Sequence, residues 1–279
     1  KIAKNDIKKD TPILKYGTVI GFADSDLKKG QVLTNKNVLF KEFNRDHNYC
    51  SKYKPTNYIE NNLQKSFMGY KRQDGRVGTR NYIAIVSTVN CSATVVHEIA
   101  SYFTSEKLKD YKNIDGVAAF SHSTGCGMEL SGEPMNLLYR TLGGYIKHPN
   151  VAATLVVGLG CENNQLKNLL PHVDKPENRI RFYNAQEVVD ELEEGVNAVY
   201  DLLKVMANDK REPIDASELT LRMKCGGSDA FSGITANPTV GRVTDLMCNL
   251  GGSVILTETP EMFGAEQLLM NRAKNKDVF

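Results

Sequence analysis

A chain of 279 residues, 41% hydrophobic and 24% charged, has ordinary globular composition and enough length for one or two cores. Its 35 basic and 33 acidic residues leave a formal net charge of +2, so no global field favours nucleic acid, and an anionic ligand would need local arginines. No apolar stretch approaches the roughly 18 residues of a membrane span, no signal-peptide pattern opens the sequence, and the six scattered cysteines do not form a disulfide scaffold. A cytoplasmic protein with reduced thiols is the expectation, its cysteines available as metal ligands or nucleophiles.

Residues 1–45 carry short apolar pieces, such as Pro12-Ile13-Leu14 and Thr18–Phe22, separated by Gly17, Gly21 and Gly30. They read as short strands and turns, a piece too small to hold a good core alone. Its apolar faces make a homo-oligomer an expected partner arrangement. Residues 46–66 are polar, rich in Asn, Lys and Tyr, and read as a linker or surface strap. Arg72, Arg76 and Arg80 then alternate with glycines just before the first long apolar run.

From Tyr82 to about Ala207 the pattern is βα repeated, within a central Rossmann-like domain over 67–208. The spacing of Val95, Val96, Ile99, Ala100 and Phe103 predicts a helix over 92–104, and Pro134 suits the first turn of the next. Arg179–Tyr183 reads as a strand, and Asn184 with Glu187 resembles a capping pair opening a helix whose inward face carries Val188, Val189, Leu192, Val196, Val199 and Leu203. Residues 208–218 look like a boundary. A second α/β part begins at 209–279, with strands over 219–224 and 253–257 and a helix from Asn237-Pro238 holding Val240, Val243, Leu246, Met247 and Leu250 inward. The fold class is therefore α/β: an open, mostly parallel sheet of βα units, preceded by a small β-rich piece and followed by the start of a second α/β domain.

Cys91, Cys126 and Cys161 recur at equal intervals, each closing an apolar strand-like run, and Cys225 closes a fourth. Ligands of open α/β sheets bind outside the carboxyl ends of the strands, so four cysteines at strand ends point to a site. His122-Ser-Thr-Gly-Cys126 puts an imidazole and a thiol in one loop, donors suited to Fe(II) or Zn(II). A packing cysteine beside a hydrogen-bonded histidine fits the same residues. Gly158-Leu-Gly-Cys-Glu162 and Cys225-Gly-Gly-Ser-Asp229 pair a thiol with a carboxylate in a glycine-flanked turn, which a tight strand-to-helix connection also explains. Cys50 and Cys248 are poorer candidates, one in the polar strap and one inside a helical pattern. Of the three arginines, Arg80 is the best candidate for clamping a carboxylate, although a solvated charge run is the commoner case. Glu258 ends a strand, where an acid/base role is open; Glu261 is explained by helix capping. The P-loop, the dinucleotide fingerprint and the nucleophile elbow are absent, which argues against nucleotide-dependent chemistry and serine hydrolysis.

Read together, Gly69–Tyr82, Thr88-Val-Asn-Cys-Ser92, His122–Gly127, Gly158–Glu162 and Cys225–Pro238 resemble the altronate/galactarate dehydratase family. Glu258–Glu266 looks more like its altronate branch, sulfolactate sulfo-lyases are similar too, and residues 11–40 resemble the tail of an SAF-type β domain. The family's N-terminal His/Asp-bearing segment and its continuation past Phe279 are not in this sequence, so an inactive fragment is one expectation. The resemblance implies a hydro-lyase using Fe(II), or a similar divalent ion or an iron–sulfur cluster, to convert a sugar acid (D-altronate first) to its 2-keto-3-deoxy acid. It implies Cys91, Cys126, Cys161 and Cys225 as metal ligands, with His122, Asp229 and Glu258 in proton transfer. Arg80, Ser228 and Asn237 would bind substrate. A non-catalytic module binding a sugar acid is the alternative of another class.

Overall fold

The computed structural model describes residues 1–15, 17–42, 48–60, 63–173, 175–224, 229, 231–262 and 265–279. The chain divides into two compact units, one made of 1–62 with 220–279 and the other of 63–219. No helix among the described residues is long and apolar enough to cross a membrane.

The first unit opens with β1 (Pro12–Lys15), β2 (Thr18–Ala23) and β3 (Val38–Leu39), an antiparallel three-stranded sheet in sequence order. Ile13, Ala23 and Leu27 form its buried centre, with Ile7, Ile20, Leu33 and Val38 packed around them. Such a small core agrees with the limited apolar surface the sequence offers here. The strap that follows is tied to the rest of this unit, because the Lys52 amide donates to the Asn271 carbonyl (2.8 Å) and the Ile59 amide to that of Asn249 (2.9 Å).

The second unit begins with β4 (Ser66–Lys71) and β5 (Val77–Gly78), then enters the parallel sheet through β6 (Tyr82–Ser87). In chain order follow α1 (Ala93–Tyr102), β7 (Gly116–Phe120), α2 (Glu133–Ile146), β8 (Val151–Gly158), α3 (Leu166–Leu169), β9 (Ile180–Asn184), α4 (Glu191–Met206) and β10 (Glu212–Asp215). The four parallel strands lie in the order β7-β6-β8-β9. The chain thus runs outward from β6 to β7 and crosses back to β8, so the order reverses between β6 and β8. That reversal is the topological switch point of a doubly wound sheet.

Alternation along β6 builds both layers. Ile83 and Ile85 pack with Val96 and Ile99 of α1 and with Val199, Leu202 and Met206 of α4. Ala84 and Val86 face the other way, onto Met135, Tyr139, Leu142 and Ile146 of α2 and Leu166 and Leu169 of α3. All eight residues of β8 are buried, as a central parallel strand covered on both faces requires.

Two local expectations change in this unit. α4 starts at Glu191, not beside Asn184, because Asp190 Oδ1 accepts the amides of Leu192 and Glu193 (both 3.0 Å); residues 185–187 form only a short 3-10 turn. The expected boundary over 208–218 contains β10, which pairs antiparallel with β4. Ile214 is buried there, and the Arg211 guanidinium donates to the Met68 and Thr79 carbonyls (2.8 and 3.0 Å).

The first unit resumes with β11 (Thr220–Met223), α5 (Ala236–Asn249), β12 (Ser253–Leu256) and α6 (Glu266–Met270). β11 and β12 are parallel neighbours. Gly251, at φ +86°, ends α5; its amide reaches Cys248 O and that of Gly252 reaches Met247 O (2.9 and 3.0 Å). The inward face expected of this helix is corrected: Leu250 is buried, but Val240, Val243 and Leu246 are exposed. Two strands of four residues offer too little surface to cover a helix of 14.

Candidate functional site

Cys91, Cys126 and Cys161 lie just beyond β6, β7 and β8. All three are free and exposed. The parallel sheet brings them together: Cys91 and Cys161 both lie near enough to the Cys126 thiol to perturb its ionisation. Partial desolvation, then these two neighbouring thiols, push the Cys126 thiol above its ordinary value, because a second negative charge beside a first is disfavoured. Cys91 and Cys161 follow the two strands that flank the switch point, the place where an open α/β sheet binds its ligands.

The residues after Cys161 hold the three loops in register. Glu162 is 2% exposed and its carboxylate is wholly engaged. Oε1 accepts from the Thr88 hydroxyl (2.5 Å) and the Leu159 amide (3.0 Å), and Oε2 from the Gly160 amide (2.6 Å). Burial pushes this carboxyl up; the hydrogen bonds from Thr88 and from backbone amides outweigh it and hold the group below its usual range. Asn163 Nδ2 donates to the Cys126 carbonyl (2.9 Å) and to that of Met128; Asn164 Nδ2 donates to the Thr88 carbonyl (2.8 Å). The Asn90 amide donates to the Thr124 carbonyl (3.0 Å), closing the ring of loops. Gly158 leaves room for this network: a Cβ there would stand 2.4 Å from Asn184 Oδ1 and 2.9 Å from Glu162 Oε1.

His122 is half-buried and bonded at both nitrogens. Nε2 contacts the Thr88 carbonyl (3.1 Å), and Nδ1 accepts the Thr124 amide (3.2 Å). A carbonyl can only accept, so the ring is neutral with its proton on Nε2. Burial lowers its pKa, against the Thr88 bond, which raises it. In this arrangement the ring links the Cys91 and Cys126 loops. The space enclosed among the loops is about 10 Å³, room for one water at most, so a substrate of this unit would meet the thiols from the solvent side.

Of the other sequence candidates, only Arg80 lies in this unit, and it is not gathered here. Arg80 precedes β6 and pairs with Asp115 (3.6 Å), at the end of the strand opposite Cys91. Asp229, in the first unit, is exposed, and its Oδ1 accepts the amides of Phe231 and Ser232 (2.7 and 2.9 Å), which closes a turn. Asn237 is exposed in the first turn of α5. Glu258 follows β12 at φ +67°, a conformation costly for a side-chain-bearing residue. Cys225 and Ser228 lie outside the described residues. Among the described residues, no three His, Cys, Asp or Glu side chains are spaced to hold a metal ion. The donor chemistry of three thiols suits a soft ion; their spacing does not close around one.

Three regions match models of a single family. Residues 1–41 match the altronate/galactarate dehydratase SAF domain, 69–207 the second domain of D-galactarate dehydratase/altronate hydrolase, and 216–279 the D-galactarate/altronate dehydratase C-terminal region. The chain belongs to the altronate/galactarate dehydratase family. Over its whole length it is 39% identical to an altronate dehydratase of Bacillus subtilis and 40% identical to one of Escherichia coli, spanning 56% of each. It is 33% identical to the galactarate dehydratase (L-threo-forming) of Escherichia coli, spanning 55% of that protein. The family's second domain holds the three thiols, together with residues that sequence reasoning passed over: Thr88, Asn163, Asn164, and Gln186, whose Nε2 lies 3.8 Å from Cys161 Sγ. For Asn163 and Asn164 a signal was available, a polar run directly after a strand-end cysteine.

Proposed function

We propose that this chain is part of a hydro-lyase that removes water from a sugar acid, D-altronate first, to give the 2-keto-3-deoxy acid in the cytoplasm. The observation that carries the reading is the meeting of three strand-end thiols at the switch point, in a chain similar along its whole length to two altronate dehydratases. Dehydration breaks the C2–H and C3–O bonds. A base takes the C2 proton, an acid protonates the departing C3 hydroxyl, and the resulting enol tautomerises to the 2-keto acid. A divalent ion of borderline softness, iron(II) above all, would supply Lewis-acid stabilisation of the developing charge; Cys91, Cys126 and Cys161 are its candidate donors by chemistry, although in this arrangement their spacing does not close around it.

The chain's own residues set the conditions for that chemistry. Glu162, Asn163 and Asn164 fix the loops that present the thiols. Neutral His122 would join proton transfer only on releasing Thr88 or Thr124. Asp229 and Glu258 remain candidates for proton transfer on the chemistry of their carboxylates. A dicarboxylate substrate is the second reading, favoured by the similarity to a galactarate dehydratase.

Metal analysis of anaerobically purified protein, with an absorbance spectrum and an assay of D-altronate and galactarate on the same sample, tests the proposal. The expected result is about one iron per chain, lost in Cys126→Ser together with turnover, and D-altronate as the faster substrate. Several irons with matching sulfide would move the reading to a cluster. A folded protein that neither binds iron nor gains turnover on adding Fe(II) and thiol would overturn it and leave a binding module.

A further inference from the structure

At the opposite end of the parallel sheet from the thiols, the second unit has a cavity of about 490 Å³. It opens at the amino ends of the strands, where Val151 and Ala152 begin β8 and Lys175 and Arg179 precede β9. The eight residues of β8 separate it from Cys161 by roughly 25 Å. Among the described residues its lining is strongly cationic, with seven lysines and arginines against two aspartates, in a chain whose net charge is only +2.

The aspartates neutralise only part of this charge. Asp209 takes Arg179 in a two-pronged pair, one bond to each oxygen (2.9 and 2.5 Å), and Asp74 takes Nε and Nη2 of Arg76 on Oδ2 alone (2.9 and 2.6 Å). Arg72 spends its fork on neutral acceptors, the Pro149 carbonyl (2.7 Å), Asn81 Oδ1 (2.9 Å) and the Arg80 carbonyl (2.9 Å). Lys175 Nζ donates to the Ile146 and Val151 carbonyls (2.7 and 2.9 Å). Lys71, Lys147 and Lys210 have no ion pair among the described residues. The consequence shows at Lys175, whose pKa falls to about 8, first through burial and then through Arg72, Arg179 and Arg76. A buried, uncompensated positive field is costly, and a bound anion relieves it.

We infer that this cavity is a binding site for a small phosphate-bearing molecule, separate from the thiol site. The volume suits a small metabolite. The choice of phosphate over carboxylate follows from the donors left over. The guanidinium forks, which match carboxylates, are already occupied, and the remaining cations are lysine ammonium groups, which take phosphate oxygens as point charges. The inference stands whether or not the dehydratase reading holds.

Calorimetric titration of the chain with inorganic pyrophosphate, at low salt and near neutral pH, tests it. Saturable binding is expected, weakened at least about tenfold in a Lys147→Gln/Lys210→Gln double variant and unchanged in Cys126→Ser. Neither lysine is in the core, so the double variant is expected to fold, which its circular dichroism checks. As a second readout, amine labelling of Lys175, followed by mass spectrometry, should slow at least about threefold under saturating pyrophosphate. Failure to saturate up to about the millimolar range, or equal binding by the double variant, overturns the site. Lysine-dependent binding of D-altronate with none of pyrophosphate overturns the phosphate assignment and places a sugar acid there.

Discussion

Glu162 shows how much of this site is built by side chains that never meet a substrate. Its carboxylate accepts three hydrogen bonds from the loops around it, so a neutral amide of equal size cannot replace it without setting an NH₂ against N–H donors. Glu162→Gln is expected to cost about 1–3 kcal/mol, read as a lower urea midpoint with unchanged slope. It should also let Cys161 alkylate faster, since the loop that carries it loses its anchor; an unchanged labelling rate would show that Asn163 and Asn164 suffice. His122 belongs to the same class of residue. With both nitrogens bonded to backbone, it joins two thiol loops in the arrangement seen.

The packing of α1 against α4 shows one effect overruling another. Gly195 sits inside α4, where an alanine gains about 1 kcal/mol in helix propensity. A Cβ there would lie 2.3 Å from Ile99 Cδ1 and 2.9 Å from the Tyr183 hydroxyl. Ile99 is 1% exposed, and the Tyr183 hydroxyl is fixed by its bond to the Glu191 carbonyl (2.6 Å). Overpacking of this kind costs about 1–3 kcal/mol, so Gly195→Ala is expected to destabilise the second unit despite the better helix former. A raised midpoint in thermal or urea unfolding would show that the two helices can move apart. β8 and its turn follow a related rule, Gly158 being needed for room and not for its backbone angles.

Charge is distributed unevenly over the molecule, and this predicts how its stability depends on pH. Lys175 has its pKa lowered from 10.5 to about 8 in the folded protein, so between these values the unfolded chain binds more protons. Stability therefore rises with pH across that window, and the ammonium form burdens the fold below it. The rise should amount to about 2 kcal/mol between pH of about 8 and 10. Lys175→Met, which fills the space without a charge, should flatten the slope. Urea midpoints at the two ends of the window measure this, and an equal slope in the variant would assign it to other groups.

The alternation of apolar runs and helical spacing was enough to determine an α/β chain with parallel strands, and the strand-end motifs were enough to place it in its family. Both are legible because periodicity and motif order are properties of a one-dimensional string. Strand polarity also follows from the string, and it could have excluded Arg80 from the thiol site, since that residue precedes its strand. Strand order does not follow from it. That β8 returns to the far side of β6, so that Cys91, Cys126 and Cys161 meet, is decided by which helices cover which face. The same holds for α5, whose apolar face is left exposed, and for the cationic cavity, whose residues come from segments spread between Tyr70 and Lys210. Such sites depend on contacts between distant residues, and those are fixed only when the sheet closes its layers and buries both of its faces.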